Sequence, residues 1–310
     1  MTPKHIFIIN PAAGRCDSTN AVAAAVHALS QTREMDYEIL TTLRPRHAAQ
    51  LVRQKAEEYP DRPLRFYACG GDGTLNEVAA GAAGLDHVAF THYPTGSGND
   101  FIKSFGAFHD LEALVAGDIQ DLDYMESDCG ICLNMFSVGV DARVADGMQK
   151  YKRIPLLAGR ASYHLSTVES ILRGISQPYG VEVDGQYFSG NFAMVLAANG
   201  RFYGGGACPV PEADPTDGKL DVLLVRGMSV LQAAKVIGAY ERGFYRRYPQ
   251  YITHFAAKTL TVYHQDGKDM TINLDGEIVH SSRVSLRLAD KKLHLIIPRG
   301  AALLPPRIVE

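Results

Sequence analysis

The chain has 310 residues, 46% of them hydrophobic and 21% charged, with a formal net charge of -3 and a pI near 6.4. Its length favours two domains, and its mild acidity is at odds with a global nucleic-acid footprint. No apolar run nears the roughly 20 residues that cross a bilayer.

Met1 to Asn10 holds one lysine and a four-residue apolar run, short for a secretory leader. Five cysteines, odd in number and dispersed, fit reduced thiols in a cytoplasmic protein. Cys129-Gly130-Ile131-Cys132 lacks a second pair and reads as strand packing rather than a zinc or redox site.

The apolar run His5 to Ile9 predicts a buried parallel strand, which ends in the turn-rich Asn10-Pro11-Ala12-Ala13-Gly14 and an alanine-rich helix from about Ser18 to Leu29. A second strand over Tyr37–Thr41 and a helix over Pro45–Glu58 follow. Leu64–Ala68 predicts a third strand, and His87–Thr91 a fourth. Strands alternating with helices imply βαβ units and a parallel sheet, which gathers ligands beyond the carboxyl ends of its strands.

Those ends are small or polar: Asn10, Thr41, Gly70 and the run Pro94-Thr95-Gly96-Ser97-Gly98-Asn99-Asp100. After the third strand, Cys69-Gly70-Gly71-Asp72-Gly73-Thr74-Leu75-Asn76-Glu77-Val78 reads as a glycine-rich turn opening a helix. Glycines let backbone approach a ligand closely, and the helix start seats phosphate. Asp72 would repel a bare phosphate, so a divalent cation is expected with it. Alone, Gly-Gly-Asp-Gly reads rather as a strand-to-helix connection with a polar tip. No Walker A sequence, strand-linked Gly-x-Gly-x-x-Gly or protein-kinase catalytic-loop signature is present.

Asn10-Pro11-x-x-Gly14, Gly70-Gly71-Asp72-Gly73-Thr74-Leu75-Asn76-Glu77 and Pro94-x-Gly96-Ser97-x-Asn99-Asp100-Phe101 resemble the three signatures of the diacylglycerol kinase catalytic family. That family includes bacterial soluble diacylglycerol kinases and sphingosine kinases and is related to NAD kinases and phosphofructokinases. Position 97 is Ser where the family commonly has Thr, which keeps the hydroxyl. The resemblance implies an α/β protein: an N-terminal parallel-sheet nucleotide-binding domain with a C-terminal antiparallel β-sandwich. It implies an ATP site of Asn10, Pro11, Gly14, Thr41, Gly71, Asp72, Gly73, Thr74, Leu75, Asn76, Glu77, Ser97, Asn99 and Asp100. Asp72 would engage a catalytic Mg²⁺, and Asp100 would support it through water.

After about Leu122 the pattern changes. Ile131–Gly139 predicts a strand, and Asp141–Tyr151 and Leu156–Arg173 predict helices. Strands are then expected at Gly180–Val183, Asn191–Ala198, Lys219–Arg226, Thr259–His264, Met270–Leu274, Ser282–Leu288 and Lys292–Ile297, with Asp184-Gly185, Asp217-Gly218 and Asp266-Gly267 as turns. The expected domains are 1–123 with about 298–310, and 124–297.

Asp214-Pro215-Thr216-Asp217-Gly218-Lys219-Leu220-Asp221 reads by itself as a solvated turn, although its hard oxygens also suit Mg²⁺. The resemblance implies a structural Mg²⁺ on Asp214, Asp217 and the Lys219 carbonyl. It also includes Asn199-Gly200-x-x-Tyr203-Gly204-Gly205-Gly206, for which no role is assigned. Asp275-Gly276-Glu277 is a good hairpin turn; through the resemblance it supplies the general base, Asp275 or its rival Glu277.

Gln149–Leu157 and Glu241–Tyr248 interleave cations with apolar residues, as a membrane-docking surface or a solvated amphipathic helix would. The expected activity is ATP-dependent phosphorylation of a lipid hydroxyl, with diacylglycerol the default acceptor. Alternatives are phosphatidylglycerol, a sphingoid base, a soluble alcohol as in NAD kinases, or a non-catalytic lipid- or nucleotide-binding regulator. The expected partners are ATP, Mg²⁺ and a lipid met at the membrane by a cytoplasmic protein, with no nucleic acid; a homodimer through an exposed sheet edge is a further expectation.

Overall fold

The computed structural model describes residues 2–106, 110–152, 169–170 and 174–309. The chain divides into two compact units, one of Met1–Tyr124, Phe202–Gly206 and Asp290–Pro305, the other of Met125–Arg201, Ala207–Ala289 and Pro306–Glu310.

In the first unit the elements run β1 (Lys4–Ile9), α1 (Thr19–Thr32), β2 (Tyr37–Thr41), α2 (His47–Glu58), β3 (Leu64–Gly70), α3 (Asp72–Ala82), β4 (Val88–Pro94), a 3-10 turn (Phe101–Phe105), α4 (Leu111–Val115) and β5 (Asp118–Leu122). β1, β3 and most of β4 are buried, as their apolar runs require of parallel strands covered on both faces. The sheet order is β2-β1-β3-β4-β17-β5, where β17 (Leu293–Ile297) pairs parallel to β4 and antiparallel to β5. The return to this unit therefore begins at Asp290, earlier than the expected position near 298. Its Leu293, Leu295 and Ile296 are buried, and an apolar strand of this kind extends a parallel sheet as readily as a sandwich.

Two close approaches of backbone set the carboxyl ends of β1, β3 and β4. Gly96 lies so near Gly71 that a Cβ on it would run into the Gly71 Cα, and Gly14, at φ +79, abuts the Thr95 carbonyl. The Gly70 carbonyl oxygen accepts from Thr95 N (2.8 Å), Gly96 N (3.0 Å) and His92 Nε2 (3.0 Å).

The second unit contains β6 (Met125–Ser127), β7 (Gly130–Cys132), β8 (Met135–Gly139), α5 (Val140–Lys152), β9 (Gln177–Val183), β10 (Gln186–Ala198), β11 (Leu220–Arg226), α6 (Val230–Tyr240), β12 (Ile252–Ala257), β13 (Thr259–His264), β14 (Met270–Leu274), β15 (Glu277–Ser281) and β16 (Arg283–Leu288). Every strand pair is antiparallel, in the order β15-β14-β8-β10-β9-β13-β16-β6-β7 with β11 on β10 and β12 on β11. Phe136, Val138, Val181, Val195, Leu260, Val262 and Ile272 fill its core.

The strand expected over 131–139 is two strands, because Leu133 and Asn134 turn their N–H groups to the Asp275 carboxylate. β12, β5 and the early part of β10 were not anticipated; the outer part of β10 is exposed and lacks an apolar run. Of the helix expected over 156–173, all but residues 169–170 lie outside the described residues, as do 153–157 of the basic segment over 149–157.

The β9–β10 turn, Asp184-Gly185, has φ of 44° and 80°, the left-handed pair of a two-residue hairpin. Asp184 accepts from Lys258 N (3.0 Å), Thr259 N (2.8 Å) and Thr259 Oγ1 (2.9 Å). Partial burial works to raise its pKa, but these donors prevail and hold it below the usual value near 3.8.

Gly96→Ala is expected to cost about 1–3 kcal/mol, because backbone rather than a pliable side chain must yield; a fall of several degrees in Tm checks it. Asp184→Ala is expected to cost about 1 kcal/mol at pH 7, discounted for solvent screening. A depressed carboxylate pKa contributes stability above the unfolded value that disappears as pH falls through the folded one. Urea titrations at pH 7 and near pH 2–3 should therefore show the variant's deficit vanish at the acid end.

Candidate functional site

The first unit carries one set of chemistry-bearing residues. α3 starts directly after the Gly70-Gly71 turn, and its first intrahelical bonds run from Thr74 N and Leu75 N to the Gly71 carbonyl. The N–H groups of Asp72 and Gly73 precede those bonds, at the positive end of the helix dipole. Asp72 Oδ1 accepts from Asp100 N (2.6 Å) and Phe101 N (3.3 Å), which folds the Ser97–Phe101 turn over the helix start. Asp72 Oδ2 faces Gly98, 2.9 Å from where a Cβ would stand there. That leaves a hard carboxylate oxygen beside a side-chain-free backbone, a donor suited to Mg²⁺.

Asn10 binds Thr74 Oγ1 through Nδ2 (3.0 Å), while its Oδ1 accepts from Ala12 N (3.0 Å) and shapes the Pro11–Gly14 turn. Ser97 and Gly73 are exposed, as is Thr41 at the end of β2 beside Ile9. Asn99 sits at φ +52 and donates through Nδ2 to the Gly96 carbonyl at 2.8 Å. Asn76 is half-buried.

Three expected nucleotide residues do something else. Leu75 is a core side chain, with its N–H held by Gly71. Glu77 accepts from Arg46 N (2.8 Å) and Ala48 N (3.1 Å), capping α2, whose own N-cap position is the left-handed Arg46. Buried Asp100 binds Lys103 Nζ through Oδ1 and Gly205 N (2.7 Å) through Oδ2, so both oxygens have partners within the fold. The loop Phe202–Gly206, unassigned from sequence, is thus tied to the Asp100 turn within this unit. Lys103 and His92 went unnoticed in the sequence. The spacing of Lys103 three residues beyond Asp100 was the available signal; His92 had none, being an apolar-strand histidine.

The second unit carries the other set. Asp275-Gly276 forms the β14–β15 turn at φ 50° and 91°. The Asp275 carboxylate accepts from Leu133 N (2.6 Å), Asn134 N (3.1 Å) and Met135 N (2.7 Å). Burial pushes its pKa up against those donors. A carboxylate surrounded by three backbone N–H groups organises the turn between β7 and β8. Glu277, two residues on, is exposed.

Asp214 Oδ1 accepts from Thr216 N (2.9 Å) and Oγ1 (2.6 Å), Asp217 Oδ1 from Lys219 N (3.0 Å), and Asp221 pairs with His254 Nε2 (2.6 Å). Burial, and after it the neighbouring charges of Asp221 and Asp214, raise the Asp217 carboxyl despite the Lys219 N–H. Among the described residues no three His, Cys, Asp or Glu side chains converge into a preformed metal group. Asp214 and Asp217 each offer one oxygen outside these bonds, which with a backbone carbonyl suits a hydrated cation. Buried Arg201 donates through Nε to the Ala213 carbonyl at 2.7 Å and steadies the entry to this loop. No helix among the described residues is long and apolar enough to cross a membrane.

Residues 4–127 match the family model of the diacylglycerol kinase catalytic domain, and residues 134–297 match that of the YegS C-terminal NAD kinase beta sandwich-like domain. A Staphylococcus epidermidis protein named "Putative lipid kinase" is 25% identical over 247 residues, 78% of this chain and 79% of its own. A protein of similar name from Staphylococcus haemolyticus is 26% identical over 249 residues, 79% of this chain and 80% of its own. The crystal structure of a diacylglycerol kinase from Bacillus anthracis matches with a TM-score of 0.73 over 95% of this chain and 96% of that one, a likeness of fold at 22% identity. The chain belongs to the family that joins a diacylglycerol kinase catalytic domain to a YegS-type C-terminal β-sandwich.

Proposed function

We propose that the protein transfers the γ-phosphoryl group of Mg·ATP to a lipid hydroxyl, with diacylglycerol as the acceptor. The observation that carries this is the helix start at Gly71–Gly73, bounded by the Asn10–Gly14 and Pro94–Asp100 turns and bearing the Asp72 Oδ2 carboxylate oxygen. Helix-start N–H groups and glycine backbone bind phosphates, and such a carboxylate oxygen holds the cation that accompanies them. When bound, Mg²⁺ neutralises charge on the β- and γ-phosphates. The nucleotide lies along Asn10, Pro11, Gly14, Thr41, Gly71 to Thr74, Ser97 and Asn99. Asp214, Asp217 and the Lys219 carbonyl would hold a second Mg²⁺, which would brace this loop in a structural role.

In the transfer, the acceptor hydroxyl loses its proton to a carboxylate as its oxygen attacks the γ-phosphorus. The bond from that phosphorus to the bridging oxygen breaks, and ADP leaves with the electron pair. Glu277 is the base and Asp275 its positioning residue, because the Asp275 lone pairs already hold three N–H groups. The protein works from the cytoplasm as a peripheral membrane enzyme.

Turnover measured across diacylglycerol, phosphatidylglycerol, sphingosine and NAD tests the acceptor. Phosphate entering the organic phase with diacylglycerol supports the reading, and labelling of NAD alone defeats it. Asp72→Ala is expected to lower kcat by at least about 100-fold, the scale of a lost electrostatic contact at the phosphoryl group. Glu277→Gln is expected to lower kcat by about 10²–10⁴-fold with Tm unchanged. By contrast, Asp275→Ala should show a loss of roughly 3 kcal/mol in denaturant titrations, since it strands buried donors. Full activity in a folded Glu277→Gln protein would remove Glu277 from the mechanism.

A further inference from the structure

α6 carries less polarity than an element partly in water requires. Of its eleven residues only Lys235 is charged. Val236 and Tyr240 form the buried side, where the Tyr240 hydroxyl reaches Met194 Sδ. At 100° per residue, Leu231 and Ala234 fall opposite that side, and Val230 and Ile237 on one flank between the two. There Leu231 is 78% exposed, with Val230 and Ile237 at 46% and 48%. A helix that is apolar nearly all round is ordinarily buried. This one is well formed, with a Ser229–Gln232 capping box, yet leaves its outer face in water.

Cations follow at the helix end. Arg242, Arg246 and Arg247 are exposed, against one exposed carboxylate, Glu241, in a chain of net charge -3. Phe244 lies between two guanidiniums, 5.7 Å from Arg242 and 4.2 Å from Arg247. Arg246 pairs with Glu212 at 2.6 Å and is partly neutralised.

We propose that α6 and the Arg242–Arg247 segment dock the protein on an anionic lipid bilayer. Leu231, Ile237 and Val230 enter the acyl boundary, and Lys235, Arg242 and Arg247 meet the headgroup phosphates. The inference deepens the lipid-kinase reading and rests on it for the bilayer as substrate source. Charge complementarity selects the occupant: an apolar stripe bordered by arginines fits an anionic interface, where the stripe is buried and each cation adds attraction.

Co-sedimentation of the full chain with phosphatidylcholine vesicles, with and without added phosphatidylglycerol, tests this. The protein should bind the anionic vesicles selectively and release in high salt. Leu231→Gln with Ile237→Gln should weaken binding at least about tenfold, and Arg242→Glu with Arg247→Glu should do the same. Both variants should keep their Tm and their turnover of a short-chain, water-soluble diacylglycerol. Unchanged vesicle binding in both variants overturns the proposal. So does conversion of a dimer to a monomer in sedimentation velocity without loss of vesicle binding, which would make the face a self-interface. A protein that docks through these residues but phosphorylates no acceptor keeps this inference and loses the kinase reading.

Discussion

A single carbonyl oxygen, that of Gly70, holds together the carboxyl ends of β3 and β4 in the first unit. Three donors converge on it: Thr95 N, Gly96 N and the Nε2 of buried His92. Burial lowers the pKa of His92, so the neutral ring donates from Nε2, an arrangement that does not change with protonation near neutral pH. The bonds draw the turn after β4 onto the turn after β3 so tightly that Gly96 and Gly71 touch through backbone. No side chain can be added at Gly96 without opening the edge. The absence of side chains is what leaves the helix-start N–H groups uncovered.

Carboxylates in this protein divide by what surrounds them. Asp72 gives one oxygen to the fold and keeps one facing Gly98. Asp100 and Asp275 give both oxygens to backbone or lysine partners and act as organisers of neighbouring loops. Glu77 caps a helix that has no cap of its own. A buried turn without such acceptors would leave N–H groups unpaired, which costs more than the bonds themselves contribute. Residues that look catalytic in a motif can therefore be retained for the backbone they satisfy.

The second unit joins two demands. Its β-rich core is conventional antiparallel packing, and the Asp275–Gly276 turn both closes a hairpin and anchors the break between β7 and β8. α6 breaks the usual division between core and surface, because it exposes Val230, Leu231 and Ile237 to water.

Much of the fold was legible in order along the chain. Apolar runs and glycine turns marked β1 to β4 and their helices, because buried parallel strands and left-handed turns restrict residue choice strongly. The alternation of Asp-Gly turns with short apolar runs likewise marked the antiparallel half. The three glycine motifs and Asp72 were visible for the same reason. Tertiary structure alone decided which carboxylates remain available, since Asp100 and Glu77 meet their partners across 105 and about 30 residues of sequence. It also decided that Leu293–Ile297 completes the parallel sheet and that Leu231 and Ile237 face water. Local sequence specifies backbone preference and apolar content. Which partner an oxygen finds, or which face of a helix is covered, depends on segments brought together only by folding.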